Sequence, residues 1–313
     1  MPTDENQKLP FVSVVVCTYN RKNLLKSCLN SIYAQDYPKS KFEVIIIDGG
    51  STDGTKELCK QFPKIRFIVE SKHGLAYARN KGAELARGSI VAYTDDDCIV
   101  DKQWLRNLIP GFQFSELIAG VGGPVYPLHP EIIPKKIYVE AALGFFNRGD
   151  SIKLVKGFIM PNAAFKKEIF KIVKFDESLG TTRRGKLILG SEDDDFCQSI
   201  TNSGYKLLYT PHAKVYHQVI LKRVRVPYII KHAVDGGISK TKIFLKQAHA
   251  MNKSRITAIK WAAAGVGIHF LKAIYKRSFN TCYGLIYSMS TLFFTISGFD
   301  RVLVSSNYRS SMQ

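Results

Sequence analysis

Apolar runs and amphipathic stretches alternate along the first hundred residues. The apolar runs are rich in Val and Ile, and the stretches between them have apolar residues at helical spacing. Four apolar runs are predicted to be strands, at residues 11–17, 42–47, 65–69 and 90–94. Helices are predicted at 22–34 and 74–86, and another is predicted to start near residue 55. Strands that are apolar throughout are buried on both faces. The pattern therefore predicts an α/β fold with a doubly wound, mainly parallel sheet.

Polar residues follow the strands of this predicted sheet. Thr18 follows the first strand, Asp48 the second, and Asp95 to Asp97 the fourth. Because ligands of such sheets bind beyond the carboxyl ends of the strands, these residues predict a site at one edge. Thr18 to Arg21 stand where a dinucleotide-binding protein has its glycine fingerprint, which argues against a dinucleotide cofactor.

Two runs of acids are the candidate chemistry. Asp95 to Asp97 end an apolar strand, where adjacent carboxylates repel unless a cation holds them together. Such hard oxygen ligands suit Mg²⁺ or Mn²⁺; the alternative is a triplet that caps a loop or pairs with basic residues. Glu192 to Asp195 precede a helical pattern, where the helix dipole favours acids. Capping alone does not require four of them.

Charge is unevenly distributed along the 313 residues. The net charge is +19, and from Lys214 onward 16 Lys and Arg face only Asp235 and Asp300, a net of +14. An anionic membrane surface or nucleic acid would each suit such a basic region. The six cysteines include no C-x-x-C pair, which predicts free thiols and a cytosolic compartment. The polar first ten residues do not resemble a secretory signal.

The C-terminal third has a different character from the rest. Residues 226–246 are helical and basic, with a predicted interruption at Gly236-Gly237, and residues 278–299 carry no formal charge. Twenty-two uncharged residues can span a bilayer. Three interpretations stay open: a weak transmembrane segment or hairpin, an interfacial element with basic residues on lipid phosphates, and an ordinary helical subdomain. A span after the basic cluster at 272–277 would leave the preceding chain cytoplasmic.

Five segments resemble the motifs of family 2 glycosyltransferases with the GT-A fold. They are VSVVVCTYNR at 12–21, IIIDGGSTDGT at 45–55, GLAYARNKGAELARGSIVAYTDDDC at 74–98, GFIMPNAAFKKEIF at 157–170 and GSEDDDFCQSITNSGYKLLYTPHAKVYH at 190–217. One departure is Gly49, where the family often has a second Asp. The resemblance covers roughly residues 10–220 and implies a GT-A domain at 11–220. Composition adds a polar tail at 1–10 and a basic, helical, membrane-associating region at 221–313. Within the GT-A domain the resemblance implies a Rossmann-like nucleotide-binding half at 11–98 and an acceptor half at 99–220.

The resemblance also implies a metal site. Asp95 and Asp97 would be the two ends of the D-x-D metal motif, with Asp96 between them on the nucleotide-sugar side. His217 ends a strand-like run and would be a third ligand of Mn²⁺ or Mg²⁺. A phosphate contact, or a hydrogen-bonded His at a strand end, is an equal alternative for His217.

Three further residues are implied to bind the nucleotide sugar. Thr18 would line the base pocket, and Asp48 would accept a hydrogen bond from the base or ribose. Asp48 is alternatively a turn residue, an interpretation that suits Asp53 better. Arg79 would lie near the nucleotide, or would form a salt bridge that organises the acids.

In the family's E-D motif the second acid is the general base. Asp193 takes that place here, with Glu192 orienting or sharing the proton, and Asp194 or Asp195 as alternatives if the register differs. Residues 122–134 and Asn162 are expected to shape the sugar and acceptor pocket. The TTRRGK stretch at 181–186 is expected to be a loop, either closing over phosphates or simply solvated.

The resemblance implies a metal-dependent, inverting glycosyltransferase. The donor would be a UDP-, GDP- or dTDP-sugar, and the acceptor a lipid-linked sugar or another glycan in glycan, polysaccharide or glycoprotein assembly. The expected location is the cytoplasmic face of the cell membrane. The alternative classes are a carboxylate-pair glycoside hydrolase and a basic nucleic-acid-binding protein. The doubly wound start argues against the first, and the absence of a nucleic-acid motif argues against the second, so no nucleic-acid partner is expected.

Overall fold

A computed structural model gives the structure of the chain and describes residues 8–70, 74–134, 139–180, 190–276 and 279–297. The chain divides into two compact units. The sheet unit comprises the described residues of 1–130, 144–183 and 192–219, and the helical unit those of 131–143, 184–191 and 220–313. The proposed site residues all belong to the sheet unit.

Eleven strands in the described ranges form the two sheets of the sheet unit. They are β1 Val12–Thr18, β2 Phe42–Asp48, β3 Ile65–Val69, β4 Ile90–Asp95, β5 Cys98–Val100, β6 Ile118–Gly122, β7 Val125–Pro127, β8 Lys153–Val155, β9 Ala163–Lys166, β10 Lys206–Tyr209 and β11 Val215–His217. The large sheet has eight strands in the order β3-β2-β1-β4-β9-β6-β10-β8, and the small sheet has the order β5-β11-β7.

The first half of the large sheet has the predicted parallel topology. β1 lies parallel between β2 and β4, and β3 lies parallel beside β2. The second half is mixed, because β9 runs antiparallel between β4 and β6, and β8 runs antiparallel beside β10. The predicted α/β class is therefore confirmed, with a sheet that is parallel in its first half and mixed in its second.

Helices cover the sheet and build the helical unit. They are α1 Lys22–Tyr33, α2 Thr55–Cys59, α3 Leu75–Leu85, α4 Trp104–Leu108, α5 Glu140–Leu143, α6 Glu192–Asn202, α7 Val226–Ala250, α8 Arg255–Lys276 and α9 Phe279–Ser297, with 3₁₀ turns at 109–113, 130–132, 160–162, 167–171 and 221–224. α1 buries Leu25, Cys28, Leu29 and Ile32, the spacing that places side chains on one helical face.

Close packing between α3 and β1 brings α3 to the sheet edge that carries the acids. A Cβ on Gly82 of α3 would lie 2.3 Å from Val15 Cγ1 of β1, so only glycine allows this approach. An aromatic cluster fills the core near α6, where Phe175 and Phe196 stack with centroids 4.0 Å apart. α3 and α6 are thus both fixed by packing.

Small and hydroxyl residues lie inside the helical unit. α7 is continuous through Gly236 and Gly237, so the predicted interruption there is wrong: a Cβ on Gly237 would lie 1.9 Å from Ser290 Oγ of α9, and glycine permits that contact. The Thr241 hydroxyl donates a hydrogen bond to the Thr291 carbonyl at 3.0 Å. Among the helices of the described residues, none combines the length and apolarity that a bilayer crossing requires.

Candidate active site

The predicted strand-end residues meet at one edge of the sheet. Thr18 of β1 stands beside Asp48 of β2, and Cys17 of β1 stands beside Asp95 of β4, in the parallel register. This is the carboxyl edge, where a doubly wound sheet binds its ligand. The structure therefore places the acid triplet where the sequence predicts a site.

Within the triplet, Asp96 and Asp97 face the protein. Arg21 Nη1 lies 2.8 Å from Asp96 Oδ1 and 3.0 Å from Asp97 Oδ2, and the Thr18 hydroxyl donates to Asp96 Oδ2 at 2.7 Å. Burial raises the pKa of Asp96 to about 6, although Arg21 lowers it. Pairing with a basic residue, the alternative left open for the triplet, thus describes these two acids. Asp95 keeps a side chain that is 31% exposed.

Arg21 was not predicted as a site residue. It lies three residues after the end of β1, in the VSVVVCTYNR segment that carries the resemblance, and this position was its only signal in the sequence. Its side chain is 34% exposed, so the guanidinium also faces solvent at the sheet edge.

Asp97 and His217 lie together, whereas Asp95 does not join them. β11 pairs antiparallel with β5, so His217 stands beside Cys98, and its Nε2 lies 3.3 Å from Asp97 Oδ2. Across the described part of the chain, no group of three or more His, Cys, Asp and Glu side chains is arranged to hold a metal ion. The predicted triad of Asp95, Asp97 and His217 is therefore not assembled as one cluster, because the Asp95 carboxylate instead forms an ion pair with a cationic side chain.

That cation is Arg79, which joins acids from two distant parts of the chain. Its Nη1 lies 2.9 Å from Glu192 Oε1 and 2.7 Å from Asp193 Oδ1, and its Nη2 lies 3.4 Å from Asp95 Oδ1. The Arg79 side chain is only 3% exposed. The salt-bridge role that the sequence left open for Arg79 is what the structure shows, and the nucleotide contact stays a prediction.

Glu192 and Asp193 occupy the first turn of α6, and Arg79 binds both. The Met160 backbone N–H donates to Asp193 Oδ2 at 3.0 Å. Burial raises the pKa of Asp193 to about 7, although Arg79 lowers it, and burial also raises the pKa of Glu192. A carboxylate that titrates near neutral pH has the proton affinity that a general base needs. Asp194, in the same turn, is exposed to solvent.

Asp48 is held within its own turn. Its Oδ2 accepts hydrogen bonds from the backbone N–H groups of Gly50 at 2.9 Å and Ser51 at 2.8 Å, and its Oδ1 accepts one from the Ser51 hydroxyl. The side chain is buried. The turn interpretation left open for Asp48 describes these contacts. Asp53 also has a local role, since it accepts from the Lys22 N–H at the start of α1.

Asn162 is hydrogen-bonded to three other segments of the chain. Its Oδ1 accepts from Trp104 Nε1 at 2.8 Å, and its Nδ2 donates to the carbonyls of Pro124 at 2.8 Å and Ala213 at 2.7 Å. The residue is fully buried. The amide ties three segments of the chain together, and the expectation that Asn162 helps to shape the acceptor pocket stays a prediction. The TTRRGK stretch at 181–186 lies outside the described residues.

Comparison with known sequences identifies the class of protein. The family described as Glycosyl transferase family 2 matches residues 13–173, more than half of the chain. The chain belongs to this family and is an enzyme of the glycosyltransferase class. The resemblance seen in the motifs is confirmed.

Two relatives come from Haloferax volcanii. The glycosyltransferase AglE is 44% identical over 103 residues, which are 31% of this chain and only 34% of AglE. A glucosyl-dolichyl phosphate glucuronosyltransferase is 27% identical over 241 residues, which are 73% of this chain and 76% of that protein.

Solved structures confirm the predicted fold. The mannosyltransferase PcManGT of Pyrobaculum calidifontis, solved with GDP-Man and Mn²⁺, superposes with a TM-score of 0.63 at 20% identity over 93% of this chain and 88% of that one. GalNAc-T7, solved with UDP, GalNAc and Mn²⁺, gives a TM-score of 0.55 at 18% identity over 74% of this chain and 48% of that one.

Proposed function

We propose that this protein transfers a sugar from a nucleotide-sugar donor to a hydroxyl group of a lipid-linked sugar, with inversion at the anomeric carbon. One observation carries the proposal: the two terminal nitrogens of Arg79 bind Asp95 on one side and Asp193 on the other. Asp95, at the carboxyl edge of the sheet, thus shares one guanidinium with Asp193, the acid that we propose deprotonates the acceptor.

The relatives support the choice of substrates. The name of the Haloferax volcanii glucuronosyltransferase specifies a glucosyl-dolichyl phosphate acceptor, and a relative from Methanococcus voltae, 27% identical over 244 residues, is named for a dolichyl-linked acceptor as well. We infer a lipid-linked glycan acceptor for this chain, in the assembly of a glycan, polysaccharide or glycoprotein. The donor is a UDP-, GDP- or dTDP-sugar. A lipid-borne acceptor places the enzyme at a membrane, on the cytoplasmic face.

Asp193 is the general base of the proposed reaction. The acceptor oxygen forms the new bond to the anomeric carbon and its proton passes to the Asp193 carboxylate. The bond from the anomeric carbon to the diphosphate breaks, and its electrons leave with the nucleoside diphosphate. Since the pKa of Asp193 is raised to about 7, the carboxylate is both substantially ionised and basic at neutral pH. Attack opposite to the leaving group inverts the anomeric centre.

Arg79 and Glu192 position the base. Arg79 opposes the burial of Asp193 and so favours its ionised form. The Met160 N–H fixes the second oxygen of Asp193 at 3.0 Å, which leaves little rotational freedom to the carboxyl group. Glu192 shares Arg79 Nη1 with Asp193, so the two acids compete for one positive charge. This competition keeps Asp193 more basic than a lone pair with Arg79 would allow.

Asp95, Asp97 and His217 are the residues that would hold a divalent cation. Carboxylates suit Mg²⁺ and Mn²⁺, and Mg²⁺ is usually bound by one or two carboxylates together with substrate phosphates rather than by a complete protein cage. The Asp97–His217 pair and the partly exposed Asp95 fit that arrangement, although they form no three-residue cluster. Such a cation would neutralise charge that develops on the departing diphosphate.

Thr18, Asp48 and Asp96 would lie on the side of the site that binds the nucleotide. Most of their polar atoms are hydrogen-bonded within the protein, so these residues fix the shape of the carboxyl edge of the sheet. A carboxylate has about four acceptor positions, and three hydrogen bonds to Asp48 leave one for a base N–H or a ribose hydroxyl.

Two measurements on the full chain test the proposal. Calorimetric titration of UDP-, GDP- and dTDP-sugars with Mn²⁺ or Mg²⁺ should show metal-dependent binding of one donor, weakened by Asp97→Asn. Transfer to a short-chain polyprenyl-linked glucose should be lost in Asp193→Asn and retained in Asp194→Asn, the matched charge change on an exposed side chain. Activity lost in Asp194→Asn but kept in Asp193→Asn would refute the assignment of the base.

A further inference from the structure

Four large apolar side chains are exposed at the start of the helical unit. Leu221 is 65% exposed, and the others are between 41% and 43% exposed. Val226 and Ile230 are four residues apart in α7 and so share one face. A concentration of exposed apolar side chains in so short a segment is typical of an interaction surface. We call it, with its basic residues, the 220–230 patch: Ile220, Leu221, Lys222, Arg225, Val226 and Ile230.

Positive charge is interleaved with these apolar side chains. Lys222 and Arg225 are exposed. The sequence has no Asp or Glu between Lys214 and Asp235, and Asp235 itself pairs with Lys231. The patch is therefore apolar and cationic, with no acidic side chain of its own segment to neutralise it.

This combination fits an anionic lipid surface better than another partner. At a bilayer interface, apolar side chains enter the acyl boundary while Lys and Arg reach the lipid phosphates. A nucleic acid would satisfy Lys222 and Arg225 but would leave the apolar side chains in water. Another exposed apolar face of the unit, Met289, Phe293 and Ile296 on α9, has no Lys or Arg within residues 279–297. It lacks the charge complementarity of the patch.

We propose that the 220–230 patch is the surface by which the protein docks on an anionic lipid bilayer. The inference rests on the proposed lipid-linked acceptor and names the residues that would bring the enzyme to it. His217, which contacts Asp97, is only three residues before Ile220. The patch therefore follows β11 closely along the chain.

Sedimentation of the full chain with vesicles tests the patch. The vesicles are phosphatidylcholine alone, or an equal mixture of phosphatidylcholine and phosphatidylglycerol. We expect Lys222→Gln/Arg225→Gln to bind the mixed vesicles about 25-fold more weakly, at about fivefold for each basic side chain. Leu221→Gln/Ile230→Gln should weaken binding about tenfold through lost apolar insertion. Met289→Gln/Phe293→Gln is the matched control on α9 and should bind as the wild type does.

Several outcomes would overturn the inference. These are wild-type binding by both patch variants, loss of binding in the α9 control instead, or equal binding of the wild type to both kinds of vesicle. A basic-pair variant that lost binding to double-stranded DNA but kept vesicle binding would assign the charge to nucleic acid. Substituted side chains are exposed, so unchanged melting temperatures will confirm folding.

Calorimetry of the nucleotide-sugar donor on the same preparations separates the two proposals. Donor binding without any vesicle binding would refute the docking surface and leave the proposed function standing. Vesicle binding through the patch without donor binding would refute the proposed function and leave the docking surface standing.

Discussion

Replacing Arg79 by Met removes the cation that Asp95, Glu192 and Asp193 share, while keeping a side chain of similar length. The guanidinium lies within 2.9 Å of Glu192 and Asp193 of α6, and its side chain is 3% exposed. Removing one partner of a buried ion pair costs about 3–5 kcal/mol, because the other charge is left buried. We expect a loss of that size in the free energy of unfolding at alkaline pH.

The loss should depend on pH in a defined direction. Burial raises the pKa of Asp193 in the folded protein from the ordinary 3.8 to about 7, so this group contributes less stability as pH rises between those values. Without Arg79 the pKa of Asp193 rises further, and the decline in the free energy of unfolding continues to higher pH. Each unit of additional rise adds about 1.4 kcal/mol to the difference between variant and wild type above the new pKa. The destabilisation should therefore be greater at about pH 8.5 than at about pH 6.

Urea unfolding at these two pH values measures the effect. Trp104 is fully buried in the sheet unit, so a Trp261→Phe background lets its fluorescence report on that unit. Arg66→Met is the matched control: Arg66 binds Glu43 at 3.1 Å, but its side chain is 29% exposed. The pKa of Glu43 is lowered, so its titration lies below both pH values and the control loss should be constant. An Arg79→Met loss that is equal at both pH values, or greater at the lower one, would refute the reasoning.

Three further predictions concern catalysis, donor binding and support of the loops. Asp193→Asn should lower single-turnover transfer by about 10²–10⁴-fold while calorimetry shows donor binding retained, and the wild-type rate should rise with pH through about 7 because the base must be ionised; retained activity would contradict the assignment. Asp97→Asn should weaken Mn²⁺-dependent donor binding about 10–100-fold by calorimetry, with equal affinities contradicting its role at the cation. Asn162→Ala should lower the free energy of urea unfolding by about 1–3 kcal/mol, since the Trp104 N–H loses its buried acceptor; an unchanged value would contradict the structural role of the amide.

The site residues at the ends of strands could be predicted from the sequence, because the position of each depends only on the strand that it follows. An apolar strand that ends in Asp95 must place the acid at the carboxyl edge, and the parallel register of β1 with β2 sets Thr18 beside Asp48. A salt bridge from Arg79 to the acids was one of two open interpretations, but its contacts with α6 could not be predicted. Its partners on α6 are 113 and 114 residues away, and no periodicity or spacing encodes an ion pair at that separation.

Asn162 and the glycines of α7 show a second limit of sequence reasoning. The Asn162 amide meets the buried Trp104 N–H and two carbonyls, partners that its own segment does not reveal. Gly236 and Gly237 suggested a break in α7, yet they allow α9 to approach. In both cases a partner from another segment decides the role of the residue, and composition does not reveal that partner.

The long sequence separation of the Arg79 contacts also has a consequence for biosynthesis. While the ribosome has produced only the segment through β4, Arg79 lacks Glu192 and Asp193, and of its three acids only Asp95 is present. The ring of Phe175, over which the guanidinium lies in the folded chain, is also still missing. We therefore expect the Arg79 side chain to remain in solvent until α6 has emerged, and its three salt bridges to form together only then. A partly synthesised chain would hold neither the proposed base nor the ion pairs that position it.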